Sequence, residues 1–234
     1  MEHKRLTLFA GHYGSGKTNI AVNYALQLSR LEMPVCIADL DIVNPYFRTK
    51  DSAAELQAAG VELISPHFAN TNVDLPALPA EAYRLVQDKT IRAVMDIGGD
   101  DRGAYALGRF TPYILAENDY RMVFVANPYR PLTATPEDAL EIMREIEAAC
   151  GLPFTCIVNN ANLGTETTPE TVLDAMAYMQ RLCTLSGLPL WLTTAEQTVA
   201  AALAEQVPCL LPLQLQEKYF DLPEQKPQAR PLFG

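Results

Sequence analysis

Basic residues are scarce in this chain: 18 lysines and arginines stand against 28 aspartates and glutamates, a formal net charge of -10. Sequence-independent binding to DNA or anionic lipid rests on excess positive charge, so both are disfavoured, and DNA partitioning with them. The five cysteines, Cys36, Cys150, Cys156, Cys183 and Cys209, include no C-x-x-C pair. That argues against a zinc or iron–sulfur knuckle within the chain. Cys36, Cys156 and Cys209 lie in apolar runs and read as small core residues. An odd count without a framework spacing suits a reducing compartment. No window approaches the ~20 apolar residues that span a bilayer. The apolar run in "MEHKRLTLFAGH" is too short for a signal peptide, so the expected location is the cytoplasm. Internal repeats and low-complexity tracts are absent as well.

What is present is an alternation of short apolar strands and helical stretches. "RLTLFA" (5–10) reads as a strand. The next stretch (17–31) reads as an amphipathic helix, with Ile20, Tyr24, Leu28 and Leu31 at helical spacing. Further strands are expected at 34–40, in the short "VELI", and at "IRAVMDIGG", 121–127, 154–160, 188–194 and "VPCLLPL". Helices are expected at 52–59, at "AEAYRLVQD" and around 103–117, the last kinked or interrupted by Pro112. Others are expected at 135–150 with Thr135 as N-cap, at 169–185 and at "AEQTVAAALAEQ". The proline-bearing segment 65–79 is long enough for a functional loop. This rhythm predicts an α/β protein of three α/β/α layers, with a mainly parallel sheet of about seven or eight strands. Residues 1–222 read as a single domain and 223–234 as an extended or disordered tail.

The stretch "GHYGSGKT" carries the strongest chemical signal. Gly11, Gly16, Lys17 and Thr18 satisfy G-x-x-x-x-G-K-[ST] between a strand and a helix, which predicts a phosphate-loop NTPase fold. Glycines, Gly14 among them, let backbone N–H groups, including those of His12 and Ser15, curl around phosphate oxygens. The helix that follows adds its positive end. Lys17 supplies charge to the β- and γ-phosphates, the Thr18 hydroxyl a ligand for Mg2+, and Asn19 can reach the α-phosphate.

Three acids stand at strand ends where such a loop needs them: Asp39, Asp41 and Asp96. Asp96 opens "DIGG", a D-x-x-G spacing in which the aspartate orients metal-bound water and Gly99 offers its N–H to the γ-phosphate. Between Asp39 and Asp41 the residues alone do not decide.

Together, "GHYGSGKT", "ADLDIVNP" and "MDIGGDDRGA" resemble the MinD/ParA-like branch of phosphate-loop ATPases. This is the SIMIBI class, whose relatives include the nitrogenase iron protein and CobQ/CobB-type nucleotide-binding domains. The resemblance implies Mg-ATP binding and a homodimer formed on ATP binding. It implies that Asp41 positions the hydrolytic water or metal and that Asp96 is the magnesium-associated acid. His12 departs from the pattern. It occupies the place of a second lysine that contacts phosphate across the dimer, and histidine has the shorter reach. The family's bridging cysteines and a terminal membrane helix are not apparent.

Guanine-specific relatives read their base with N-K-x-D, whereas the corresponding strand end here is "NNAN". Asparagine pairs a competing donor with its acceptor, a poor match to guanine, while Asn159 or Asn160 can bond adenine. The expected activity is slow ATP hydrolysis driving a switch read by a client protein. The switch and client surfaces are expected at "NPYFR", 67–76 and "DDRGAYALGRF". Arg48, Arg102 and Arg130 are candidates for contacting phosphate or an acidic ligand. The alternative is an ATP-dependent ligase or kinase of the dethiobiotin synthetase/CobQ type, acting on a small metabolite held by the 65–79 loop. A binding module for metal insertion is weaker, since no histidine–cysteine cluster supports it.

Overall fold

The computed structural model describes residues 3–40, 52–64, 80–99 and 101–215. Among the described residues, eight strands form one sheet in the order β3-β2-β4-β1-β5-β6-β7-β8, and every neighbouring pair is parallel. They are β1 Leu6–Ala10, β2 Val35–Leu40, β3 Glu62–Ile64, β4 Arg92–Ile97, β5 Tyr120–Ala126, β6 Cys156–Asn159, β7 Leu190–Glu196 and β8 Leu210–Leu213. All residues of β1 and β2 are buried, as a sheet covered on both faces requires. β1 lies between β4 and β5. The first half of the chain therefore winds to one side of it and the second half to the other. Ligands of open α/β sheets bind at the carboxyl end of such a switch point.

The helices are α1 Lys17–Leu28, α2 Ala53–Ala58, α3 Arg84–Gln87, α4 Asp101–Gly108, α5 Thr111–Glu117, α6 Pro136–Cys150, α7 Pro169–Asp174, α8 Met176–Ser186 and α9 Gln197–Leu203. Ile20, Tyr24 and Leu28 of α1 and Leu56 of α2 bury against Phe9, Ile37, Val94 and Val123 on one face of the sheet. Leu107, Ile114, Met143 and Leu182, from α4, α5, α6 and α8, bury against Leu8, Met95 and Phe124 on the other. Each such side chain contributes about 1.5–3 kcal/mol. Val172, Ala200 and Leu203 close a smaller cluster at the β7–β8 end.

Pro112 falls in the first turn of α5 and separates it from α4, as its missing N–H allows. The expected helix over 169–185 is two, α7 and α8, meeting at Ala175. Thr135 caps α6, its hydroxyl accepting the Asp138 N–H at 3.1 Å. Such a cap contributes about 1 kcal/mol. Cys36 and Cys156 are buried as expected, but Cys209 is exposed. It takes a left-handed turn (φ 54) immediately before β8, which carries it out of the apolar run. Asn23 of α1 grips the chain beyond β8 through both ends of its amide. Its Nδ2 donates to the Gln214 carbonyl at 2.9 Å and its Oδ1 accepts the Gln214 N–H at 2.8 Å. Among the described residues, no helix is long and apolar enough to cross a membrane.

Candidate functional site

The loop of residues 11–16 leaves the carboxyl end of β1 and runs straight into α1. Gly16 stands at the helix N-cap with φ 91 and ψ 18, a left-handed geometry that costs a side-chain-bearing residue about 1 kcal/mol or more. A Cβ there would also lie 2.2 Å from Asn160 Nδ2. Only glycine fits. No side chain caps α1, so its 12-residue dipole opens into the loop. Lys17 is buried, and its Nζ donates to the His12 carbonyl at 3.1 Å. The same carbonyl accepts the Ser15 N–H at 3.2 Å. The His12 imidazole turns back on the loop, Nδ1 donating to the Tyr13 carbonyl at 3.0 Å. Ser15 is buried, and its hydroxyl has no hydrogen-bond partner. A buried hydroxyl left so beside an open helix terminus suits an oxyanion seated in the loop.

The acids of the neighbouring strands meet this loop. Asp39 of β2 and Asp96 of β4 are register partners, so both carboxylates leave the sheet on the side of α1, and both are buried. Gly99, three residues beyond Asp96, packs against the loop from below. A Cβ on it would lie 2.7 Å from the Tyr13 nitrogen and 3.0 Å from Lys17 Nζ. The D-x-x-G turn therefore abuts both the loop backbone and its ammonium. Thr18 and Asn19 are half-buried in the first turn of α1. The Asn19 amide oxygen accepts from Asn23 Nδ2 at 3.2 Å, along the helix. Among the described residues, no group of three or more His, Cys, Asp or Glu gathers to hold a metal ion. Magnesium beside a nucleotide takes only one or two carboxylates and completes its shell with phosphate and water, and Thr18 with Asp96 offers that kind of set. Asp41, Arg48, the "NPYFR" stretch, the loop 65–79, Asp100 and the tail 223–234 lie outside the described residues, and the side chain of Arg102 is not described.

A ledge of asparagines supports the loop from β5 and β6. Asn160 Nδ2 donates to the Ser15 carbonyl at 2.6 Å, and its Oδ1 accepts the Thr194 hydroxyl at 2.7 Å. Asn159 uses Oδ1 for the Ala161 N–H at 3.0 Å and Nδ2 for the Met176 sulfur at 3.6 Å. Both amides are therefore spent inside the protein in this structure, Asn160 on the phosphate loop itself. Asn127, fully buried at the end of β5, accepts the Tyr129 N–H at 3.1 Å and donates to the Asn162 carbonyl at 3.3 Å. Sequence reasoning passes over Asn127 and Thr194. A polar residue just past the apolar strand beside the motif strand marks Asn127 as a polar position at the site, whereas Thr194, inside β7, carries no such signal. Arg130 is placed at the loop, its Nε donating to the Gly14 carbonyl at 2.9 Å. Burial raises the Tyr129 phenol above its usual range, with the charge of Asp174 adding to it, and its hydroxyl donates to the Thr171 carbonyl at 2.8 Å.

A parallel sheet switching direction at β1, with a glycine loop and lysine at its carboxyl end, defines the class as the phosphate-loop NTPase fold. Solved structures agree. FtsY, the cell division protein of Thermotoga maritima, superposes with a TM-score of 0.55 at 16% identity, covering 83% of this chain and 62% of that one. FtsY of Mycoplasma mycoides gives 0.54 at 16% identity, covering 83% and 61%. Chloroplast FtsY of Physcomitrella patens gives 0.52 at 14% identity, covering 82% and 59%. The chain thus spans about three fifths of the length of these proteins, and the likeness is one of fold, that of the phosphate-loop NTPase domain. No protein-family model and no curated protein match the sequence.

Proposed function

We propose that this chain binds Mg-ATP in the 11–18 loop and hydrolyses it slowly, as a MinD/ParA-like switch whose state a client protein reads. The observation that carries the reading is the geometry around Lys17: its ammonium lies buried between the His12 carbonyl and Gly99, at the open end of α1. In the nucleotide complex Lys17 exchanges the His12 carbonyl for β- and γ-phosphate oxygens, and the N–H groups of Gly14, Ser15 and Gly16 turn to the β-phosphate. Thr18 and Asp96 hold Mg2+, which supplies charge neutralisation at the phosphates. Asp41 orients the attacking water, and Gly99 senses the γ-phosphate through its N–H. Since Gly99 already touches the loop and opens toward α4, its movement carries the nucleotide state to residues 101–110.

The FtsY neighbours are GTPases. The base preference proposed for this chain is nevertheless adenine, because "NNAN" places no carboxylate where guanine N1–H and N2–H would need one. A homodimer on ATP binding is part of the reading, with His12 in place of the trans-acting lysine.

Equilibrium titration with Mg-ATP and Mg-GTP tests the base, and phosphate release tests the reaction. The expected result is tighter ATP binding, with turnover far below the ~10 s-1 of a median enzyme. An increase in oligomer size with a non-hydrolysable ATP analogue, but not with ADP, is expected as well. GTP binding as tight as ATP binding overturns the base assignment. Rapid turnover appearing only with an added metabolite overturns the switch in favour of a ligase or kinase.

A further inference from the structure

Two consecutive peptide planes of the phosphate loop are held by side chains from outside it. The Ser15 carbonyl accepts from Asn160 Nδ2 at 2.6 Å, and the Gly14 carbonyl accepts from Arg130 Nε at 2.9 Å. In a trans peptide the C=O and the N–H point in opposite directions. A carbonyl held outward therefore turns the N–H of the next residue inward. The Ser15 N–H lies as this requires. It donates to the His12 carbonyl at 3.2 Å, the same oxygen that takes the Lys17 ammonium at 3.1 Å. The 14–15 peptide thus shows its carbonyl to Arg130 and its N–H to the oxygen that holds Lys17.

This plane is the one that most needs a hold. Gly14 has no Cβ and takes a left-handed backbone (φ 74), so rotation about its own bonds meets little steric resistance. Beyond its chain neighbours, a Cβ built on it would meet only Arg130 within 4 Å, Nε at 3.8 Å and Cδ at 3.9 Å. Arg130 itself is firmly seated. Asn127, fully buried just past β5, accepts the Tyr129 N–H on its side-chain oxygen at 3.1 Å. The Asn127 carbonyl accepts the Arg130 N–H at 3.3 Å and the Thr133 hydroxyl at 2.7 Å. The Arg130 carbonyl in turn accepts the Thr133 N–H at 3.0 Å. The turn after β5 therefore fixes the backbone from which the Arg130 side chain reaches the loop.

We propose that Arg130 is a positioning residue of the phosphate loop, an inference that rests on the nucleotide reading of the 11–18 loop. Through the Gly14 carbonyl it keeps the Ser15 N–H turned inward, ready for a phosphate oxygen. A nest of N–H groups binds an anion tightly when its planes are already oriented, since each plane that must be reset lowers the affinity. Arg130 acts on the loop backbone, not on the nucleotide, so the donor at Nε matters more than the charge.

Two substitutions separate the donor from the charge. Glutamine carries its amide nitrogen on Cδ, where arginine carries Nε, so Arg130→Gln keeps a donor and loses the charge. Arg130→Met places a methyl group there and loses both. Two measurements are made on the full chain: amide hydrogen exchange at Ser15 without nucleotide, and calorimetric titration with magnesium and inorganic triphosphate. In Arg130→Met, Ser15 exchange should be faster by about tenfold and triphosphate binding weaker by about tenfold, as loss of one hydrogen bond from a charged group implies. Exchange at the amides of β1 should stay unchanged, which separates a local effect from general destabilisation. Arg130→Gln should recover most of both losses. Equal loss of triphosphate binding in the two variants would show the charge acting on the phosphates directly and overturn the proposal. Exchange and binding unchanged in Arg130→Met would overturn it as well. No triphosphate binding by wild type overturns the nucleotide reading, whereas an exchange pattern that follows the donor supports the brace even then.

Discussion

The amide of Asn160 donates to the carbonyl of Ser15 at 2.6 Å, tying the end of β6 to the phosphate loop across 145 residues of sequence. Thr194 of β7 holds the other end of that amide at 2.7 Å. The loop is therefore braced from two strands beyond the one that feeds it. Asn160→Ala leaves a buried carbonyl without its donor, a loss of about 1–3 kcal/mol. The expected outcome is a nucleotide affinity lower by about tenfold, by the same arithmetic. Calorimetry with inorganic triphosphate separates bracing from base recognition. A brace weakens triphosphate and ATP alike, whereas a base contact leaves triphosphate binding unchanged.

Gly16→Ala should be the more damaging change, despite its small size. The left-handed backbone (φ 91) and the 2.2 Å approach of Asn160 Nδ2 both oppose a methyl group. The new side chain has to push Asn160 off Ser15. Thermal unfolding should show a loss of more than about 1 kcal/mol, since backbone strain and a lost hydrogen bond add. Nucleotide titration should show affinity lost along with it.

Much of this site is legible in the residues themselves. The motif, its strand-to-helix setting and the acids near the ends of β2 and β4, Asp39 and Asp96, follow from spacing, because phosphate chemistry leaves few alternatives for those residue types. The strand rhythm is legible for a similar reason: buried parallel strands are short apolar runs, and α1, α6 and β1 through β8 lie within a few residues of expectation. The bracing is not legible. Asn127, Asn160 and Thr194 act on backbone groups far away in sequence, and no local pattern records that. The break at Ala175 carries no proline or glycine to announce it, and Cys209 is exposed by one positive φ that its apolar neighbours conceal.

Arg5 and Glu117 give the fold a measurable acid sensitivity. Arg5 is buried, its guanidinium bonded to Glu117 and to the carbonyls of Leu85, Asp88 and Ile91. Burial by itself would raise the Glu117 carboxyl, but the bonds from Arg5 and Lys89 outweigh it and hold the group below its usual range. A carboxyl depressed in the folded state stabilises above its unfolded pKa, about 4.3, and that contribution is lost as pH falls through the folded value. Glu117→Gln should therefore lower the melting temperature markedly at pH 7 and much less near pH 3. An equal deficit at both would show that the charge is not what matters.

Thiol reactivity checks the burial pattern. Burial pushes Cys36 up to about 12 and Cys156 up to about 11, which removes their thiolates at neutral pH. Cys209 is exposed. A maleimide at pH 7 should label Cys209 first, with Cys36 and Cys156 silent until denaturant is added. Mass spectrometry of digested protein reads this directly, and early labelling of Cys36 would contradict the sheet packing.

Binding of a magnesium nucleotide to the 11–18 loop through Lys17 is decided by one comparison. Mg-ATP is titrated into wild type and Lys17→Ala by calorimetry, with folding of both confirmed by circular dichroism. In the proposed complex Lys17 makes charge-assisted bonds to two phosphates, so its removal should weaken binding by about a hundredfold or abolish it. Tight binding retained in a folded Lys17→Ala protein would contradict the account.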